Sequence, residues 1–213
     1  VSEGLRVAVL VSGSGTNLQA LIDDLHAPES EPVRIVLVVA SRDDAPALER
    51  ARRAGIATAV VRQADHADRG ARDRALADVV AGADPGLVVL AGWMSILTGD
   101  FLDRFPDRVL NLHPSLLPAF PGLEAIERAL EWGARWTGVT VHFVEEEVDA
   151  GPPVLQEPVS IGYGESSESL AARVHEVEHR ILPRAVRLFA QGRVHRDPER
   201  RRVVHVAEEE GSS

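Results

Sequence analysis

Asn111-Leu112-His113-Pro114-Ser115-Leu116-Leu117-Pro118-Ala119-Phe120-Pro121-Gly122 begins at the end of an apolar run, residues 109–112, that reads as a buried strand. The prolines that follow forbid that strand from continuing, so Asn111 and His113 sit where strand becomes loop. Residues two apart on a strand project to the same face, which lets the carboxamide and the imidazole point into one cleft. Outside the carboxyl ends of a parallel sheet, such a cleft is where ligands bind. An uncharged amide donor beside a group that titrates near neutrality suits acyl chemistry: the amide steadies a developing oxyanion and the imidazole moves a proton. A plainer role fits the pair equally well, with Asn111 capping a turn and His113 packed beneath it.

Working outward, composition removes several chemistries. The 213 residues contain no cysteine, which excludes disulfides, thiolate nucleophiles and cysteine metal sites. All 23 basic residues are arginine, so lysine Schiff-base and general-base chemistry is excluded too. A formal charge of −10 argues against a broad nucleic-acid surface and leaves an anionic substrate to be held locally, by arginine and by backbone amides at a helix start. No apolar run reaches membrane-spanning length and the first residues show no signal pattern. The expectation is a cytoplasmic protein with small-molecule substrates, no nucleic acid and no membrane, as a monomer or homodimer.

The length predicts one domain, residues 1–213, with a core over about 5–192 and a polar tail over 193–213. Apolar runs at 5–11, 33–40, 57–61 and 87–91 read as strands, and helical patterns after 18, over 45–54 and over 71–80 lie between them. Alternating strands and helices predict an α/β fold: a largely parallel, twisted sheet flanked by helices, with a Rossmann-type nucleotide-binding half. The first strand ends in Ser12-Gly13-Ser14-Gly15-Thr16-Asn17. Leu18 stands where a dinucleotide fingerprint needs its third glycine and no lysine is present for a Walker loop, so what survives is a mononucleotide-like phosphate cradle or a tight turn with Thr16 or Asn17 as N-cap.

Further on, 123–132 reads as a helix and 137–143 as a half-buried strand, in which His142 reads as a satisfied structural histidine and Thr140 as a supporting hydroxyl. An acidic loop at 145–151 carries Asp149; a carboxylate near an imidazole favours its protonated form. Residues 167–190 form an amphipathic helix capped by Ser166 or Ser167, with Pro183 expected to kink it. Inside this helix, His175-Glu176-Val177-Glu178-His179 matches the His-Glu-x-x-His zinc-hydrolase pattern without an obvious third ligand; a solvated helix face explains it as well. One strand is expected within 193–206, then a charged tail over 208–213.

Asn-x-His-Pro-Ser-Leu-Leu-Pro, then Pro121-Gly122 and Asp149-Ala150-Gly151-Pro152, resembles the folate-dependent formyltransferase family over nearly the whole chain, from Val7 to about Gly192. The resemblance implies transfer of the formyl group of 10-formyltetrahydrofolate, as co-substrate and without a metal, to the amine of glycinamide ribonucleotide in purine biosynthesis. It makes Asn111, His113 and Asp149 the catalytic set. It gives the ribonucleotide to Gly15, Thr16, Asn17, Arg69 and Glu178. It gives folate to two stretches, Met94, Ser95, Ile96 and Leu97 on one side and Glu145, Glu146, Glu147, Val148 and Asp149 on the other, with Asn111 between them. Ser95 stands where many relatives carry a basic residue, and Glu124 where many carry a histidine. The alternatives are a family member acting on another amine such as an amino sugar, a zinc hydrolase using His175 and His179, and a non-catalytic folate or nucleotide binding module.

Overall fold

Strands covered on both faces need apolar residues at every position, and two runs in this chain supply them. The computed structural model describes residues 4–26 and 32–207. In chain order it contains β1 (Leu5–Val11), α1 (Thr16–Leu25), β2 (Val33–Ala40), α2 (Pro46–Arg53), β3 (Ala57–Val60), α3 (Arg69–Ala81), β4 (Leu87–Leu90), α4 (Gly99–Leu102) and β5 (Val109–His113). There follow α5 (Ala125–Glu131), β6 (Trp136–Phe143), β7 (Pro153–Ser160), α6 (Ser167–Ala190), β8 (Val194–Arg196) and β9 (Val204–Val206). The main sheet has the order β3-β2-β1-β4-β5-β6-β7. Its first five strands pair in parallel, and β6 and β7 are antiparallel additions.

The two-residue period of β1 splits the core in two. Val7, Val9 and Val11 join the cluster that includes Leu18 and Leu21 of α1 and Leu170 and Val174 of α6. Ala8 and Leu10 join the opposite cluster, with Leu76 and Val80 of α3 and Phe101 of α4. Because β2 and β3 extend the sheet on one side of β1 and the chain then crosses back to place β4 on the other, the strand order reverses there and opens a crevice at the carboxyl ends.

Three local expectations change. Helix α1 starts at Thr16 with Gly15 as its N-cap, in the left-handed conformation and without a side-chain cap, where Thr16 or Asn17 is expected. Strand β6 is buried at every position after Trp136 rather than half-buried. Its Thr140 side chain faces the turn after β5 and His142 faces Asp149, and on the same face a Cβ on Gly138 would run into the Glu157 carbonyl of β7 and stand 2.6 Å from Leu116. The single strand expected within 193–206 is a hairpin, in which Val194 pairs with Val206. Asp197 Oδ1 accepts from the N–H groups of Glu199 and Arg200 at 3.0 and 2.8 Å, a side-chain turn that sends the chain back. The charged tail expected over 208–213 lies outside the described residues.

Helix α6 runs on through Pro183, whose missing N–H removes the helical partner of the His179 carbonyl, and Ser166 Oγ caps it by accepting from Ser169 N at 3.2 Å. Among the described residues no helix is long and apolar enough to cross a membrane.

Candidate active site

One cleft of about 720 Å³ runs along the carboxyl ends of the strands. Its first wall is the turn between β1 and α1. Gly15 sits at φ 74°, and a Cβ there would meet the Ala47 Cβ at 2.6 Å, so glycine is required both for the turn and for the approach of α2. Arg50 of α2 donates from Nε to the Ser14 carbonyl at 2.9 Å and fixes the turn from behind. The free N–H groups at the start of α1 then face the cleft, as an anion site needs. Asn17 Nδ2 donates to Glu178 Oε2 at 3.0 Å, and His175 Nδ1 lies 2.9 Å from the same oxygen. Asn17 Oδ1 is buried with no protein partner.

The centre of the cleft is built on β5 and β6. Asn111 and His113 leave β5 on one side, and His142 stands directly opposite Asn111 on β6. Asp149, at φ 53° in the loop after β6, reaches both residues of β5. Its Oδ2 lies 3.2 Å from His113 Nδ1 and accepts from Gly122 N at 2.7 Å, while its Oδ1 lies 3.4 Å from Asn111 Nδ2. His113 Nε2 is 2.9 Å from the Phe120 carbonyl, so an acceptor oxygen lies within 3.2 Å of each ring nitrogen.

His142 Nδ1 donates to the Phe143 carbonyl at 2.8 Å, which leaves Nε2 to accept from Asn111 Nδ2 at 3.2 Å. The long contact to Asp149 is therefore the Asn111 N–H that can turn to a substrate oxygen. At 3.6 Å, His142 Nε2 lies beyond hydrogen-bond reach of Asp149 Oδ1. Burial works to raise the Asp149 pKa, but His142, the Gly122 N–H and the charge of His113 outweigh it and hold the carboxyl below the ordinary aspartate value of 3.8.

The last wall is apolar. Trp93 and Leu97 are buried in it, and Met94, Ile96, Leu123 and Val148 are left exposed along the cleft. A flat, partly apolar ligand would cover that surface.

The residues expected from sequence are distributed as follows. Gly15, Thr16, Asn17 and Glu178 line the glycine-turn end. Met94, Ser95, Ile96 and Leu97 face Glu145, Glu146 and Val148 at the other end, with Asn111, His113 and Asp149 between. Arg69 is exposed at the first position of α3 and does not line the cleft; neither does Glu147. Glu124 does, from the left-handed position before α5. His142, read from sequence as structural, is the residue that sequence reasoning passed over. The signal that finds it is its cross-strand register with Asn111, which becomes visible only once β5 and β6 are paired. For the zinc pattern, His175 is bonded to Glu178, and among the described residues no group of three or more His, Cys, Asp or Glu side chains is placed to hold a metal ion.

The family model described as formyl transferase matches residues 5–186. The chain belongs to the formyl transferase family. It is 43% identical over 189 residues to phosphoribosylglycinamide formyltransferase of Haemophilus influenzae, covering 89% of each chain. It is 44% identical over 204 residues to the trifunctional purine biosynthetic protein adenosine-3 of Bos taurus, covering 96% of this chain and 20% of that one. The chain thus spans about a fifth of the length of such trifunctional relatives. Among solved structures, glycinamide ribonucleotide transformylase 1 from Symbiobacterium toebii superposes with a TM-score of 0.90 at 45% identity, covering 98% of this chain and 96% of that chain.

Proposed function

We propose that this protein transfers the formyl group of 10-formyltetrahydrofolate to the amine of N1-(5-phospho-D-ribosyl)glycinamide, giving formylglycinamide ribonucleotide and tetrahydrofolate in de novo purine biosynthesis. The observation that carries the reading is that Asn111, His113 and Asp149 share one cleft with an anion-ready helix start at one end and an apolar wall at the other. Membership of the formyl transferase family and likeness to a glycinamide ribonucleotide transformylase support it.

The residues fit both ligands. At the first end, the α1 amides take a phosphate and the buried, unpartnered Asn17 Oδ1 takes a ligand donor, with Glu178 positioned for ribose hydroxyls. Arg69, exposed at the edge of α3, is kept as a phosphate contact of this reading. At the other end, residues 94–97 and the 145–149 loop hold folate. When bound, the co-substrate supplies the formyl carbon. Asn111 donates an N–H to the oxygen on which negative charge develops, and imidazolium His113 adds a second donor once Nε2 exchanges the Phe120 carbonyl for the substrate. Asp149, ionised throughout the neutral range, keeps the His113 ring oriented and its charge compensated, and holds the path by which the proton shed by the attacking amine passes to the nitrogen of the leaving tetrahydrofolate as its bond to the formyl carbon breaks.

The reading needs no metal ion. It carries a cytoplasmic location, a single formyltransferase domain and a monomer or homodimer. The test is formyl transfer to the ribonucleotide followed by absorbance in EDTA, with His113→Ala alongside. Turnover that survives chelation and collapses in the variant supports it. Folate binding without turnover on the ribonucleotide rejects the acceptor, and no folate binding rejects the reading.

A further inference from the structure

Residues 92–98 form the apolar wall without belonging to a helix or strand. Irregular backbone at a buried place leaves N–H and C=O groups that need partners. At its start, the Gly92 carbonyl accepts from Ser12 N and the Met94 N–H donates to Ser12 Oγ, both at 3.0 Å. At its end, the partners are two adjacent charged residues inside α3. Arg72 Nη2 donates to the Ile96 carbonyl at 3.0 Å, and Asp73 Oδ2 accepts from the N–H and the hydroxyl of Thr98 at 2.7 and 2.9 Å. The Arg72 guanidinium also lies over the Trp93 ring, 5.6 Å from its centroid.

These side chains are 1% and 0% exposed. Arg72 Nε and Asp73 Oδ1 are 2.6 Å apart but not aligned for a hydrogen bond, so their mutual attraction is coulombic. Burial pulls the Arg72 pKa below the ordinary guanidinium value, and Asp73 opposes it. An ion pair taken wholly out of water adds little stability over an apolar pair of similar volume. Stability therefore does not account for placing two charges side by side on the inner face of a helix. Their contacts do: one guanidinium and one carboxylate satisfy a carbonyl, an amide and a hydroxyl within three residues of the wall.

We propose that Arg72 and Asp73 are positioning residues for the co-substrate: from behind, without lining the cleft, they clamp 93–98 in the shape that receives its flat ring. This rests on the folate reading and extends it by placing a determinant of folate affinity in α3. The clamp acts on the wall alone, so it governs the folate side of the reaction and not the ribonucleotide side.

The experiment replaces the pair by apolar side chains, Arg72→Met with Asp73→Leu, and measures the thermal midpoint, both KM values and the Kd of a non-reactive folate analogue followed by tryptophan emission. The expected result is a midpoint lowered only modestly, as three groups of the wall lose their partners, with folate KM and analogue Kd raised about tenfold or more and ribonucleotide KM unchanged. Thr98→Val, which removes one donor to Asp73 and leaves the charges in place, raises the folate terms about two- to fivefold and decides the matter should the double variant not fold. Unchanged folate affinity overturns the proposal, as does a parallel rise of both KM values, the mark of general loosening. If the wild type binds no folate analogue, the folate reading fails instead. The clamp is then tested by amide exchange at 94–98, which speeds up in the variants if the pair holds the wall and stays unchanged if it does not.

Discussion

The two ends of the cleft are built by different means. At the glycine-turn end the turn itself is consecutive in the chain, with β1 stopping at Val11, Gly15 turning and α1 beginning at Thr16, and Arg50 and Glu178 are added to it from α2 and α6. The apolar end and the centre are assembled from irregular segments whose shapes are set by side chains distant in sequence: Arg72 and Asp73 for 92–98, Asp149 for Gly122, and Arg196, which pairs with Asp107 and with Glu145, for the acidic loop. Local backbone chemistry makes the first end rigid through a single residue. The second end is only as rigid as its buried polar contacts, so the two should fail differently.

The largest expected effect lies where the ends meet. His113→Ala removes a proton donor and should lower kcat by about 10²–10⁴ while leaving ribonucleotide KM nearly unchanged. Asp149→Asn should lower kcat similarly, and it also weakens the tie between the 119–124 turn and the loop after β6. The Asp149 pKa is depressed in the folded state, so its stabilisation is present above the ordinary value of 3.8 and is lost as pH falls through the folded value. Thermal midpoints of wild type and Asp149→Asn should therefore differ at neutral pH and converge in strong acid. A gap that persists below that range would mean that the carboxylate charge does not hold the centre together.

Next comes the single-residue end. Gly15→Ala forces a Cβ into Ala47 at a left-handed position, and should cost about 1–3 kcal/mol and raise ribonucleotide KM without touching folate KM. Equal effects on both substrates would erase the distinction between the ends. Smaller still is Thr140→Val. Thr140 Oγ1 donates to the Ser115 carbonyl at 2.6 Å and accepts from Leu117 N at 3.1 Å and Gln156 Nε2 at 2.9 Å. Valine leaves those buried groups short of a partner at about 1–3 kcal/mol in urea denaturation, with kcat falling less than in the Asp149 variant.

The same contrast governs what the sequence reveals. The bounds of β1 and β2 are legible because a strand buried on both faces writes an unbroken apolar run, and Asn111 with His113 is legible because a strand's two-residue period puts both on one side. Strand β6 misleads for the same reason: Thr137, Val139 and Val141 alternate with polar or small residues whose face is covered by Leu116, Ser115 and Asp149 from elsewhere. His142 cannot be placed until the register of β6 on β5 is known. Arg72 and Asp73 look like ordinary polar helix residues, because nothing local marks the inside of α3. The hairpin after Gly192 hides in a run whose turn depends on one side chain, Asp197.

The smallest effect tests the rim of the glycine-turn end. His175 Nδ1 and Asn17 Nδ2 share Glu178 Oε2. The hydrogen bond to Glu178 raises the His175 pKa above the ordinary histidine value of 6.5, with burial opposing it. A raised folded-state pKa means that the stabilisation is fully present below 6.5 and is lost as pH rises through the folded value. With the His175 side chain 52% exposed, solvent screens the pair and the effect is slight. The midpoint of wild type should thus exceed that of His175→Ala at pH 6 by a small margin that closes above the folded pKa. Over the same interval the Glu178 carboxylate loses its cationic partner and is left to Asn17 and the ligand. Ribonucleotide KM should therefore drift downward with pH in the wild type and not in His175→Ala. A drift of equal size in both would move the titrating group to the centre of the cleft, and a drift in folate KM would join the two ends that the geometry keeps apart.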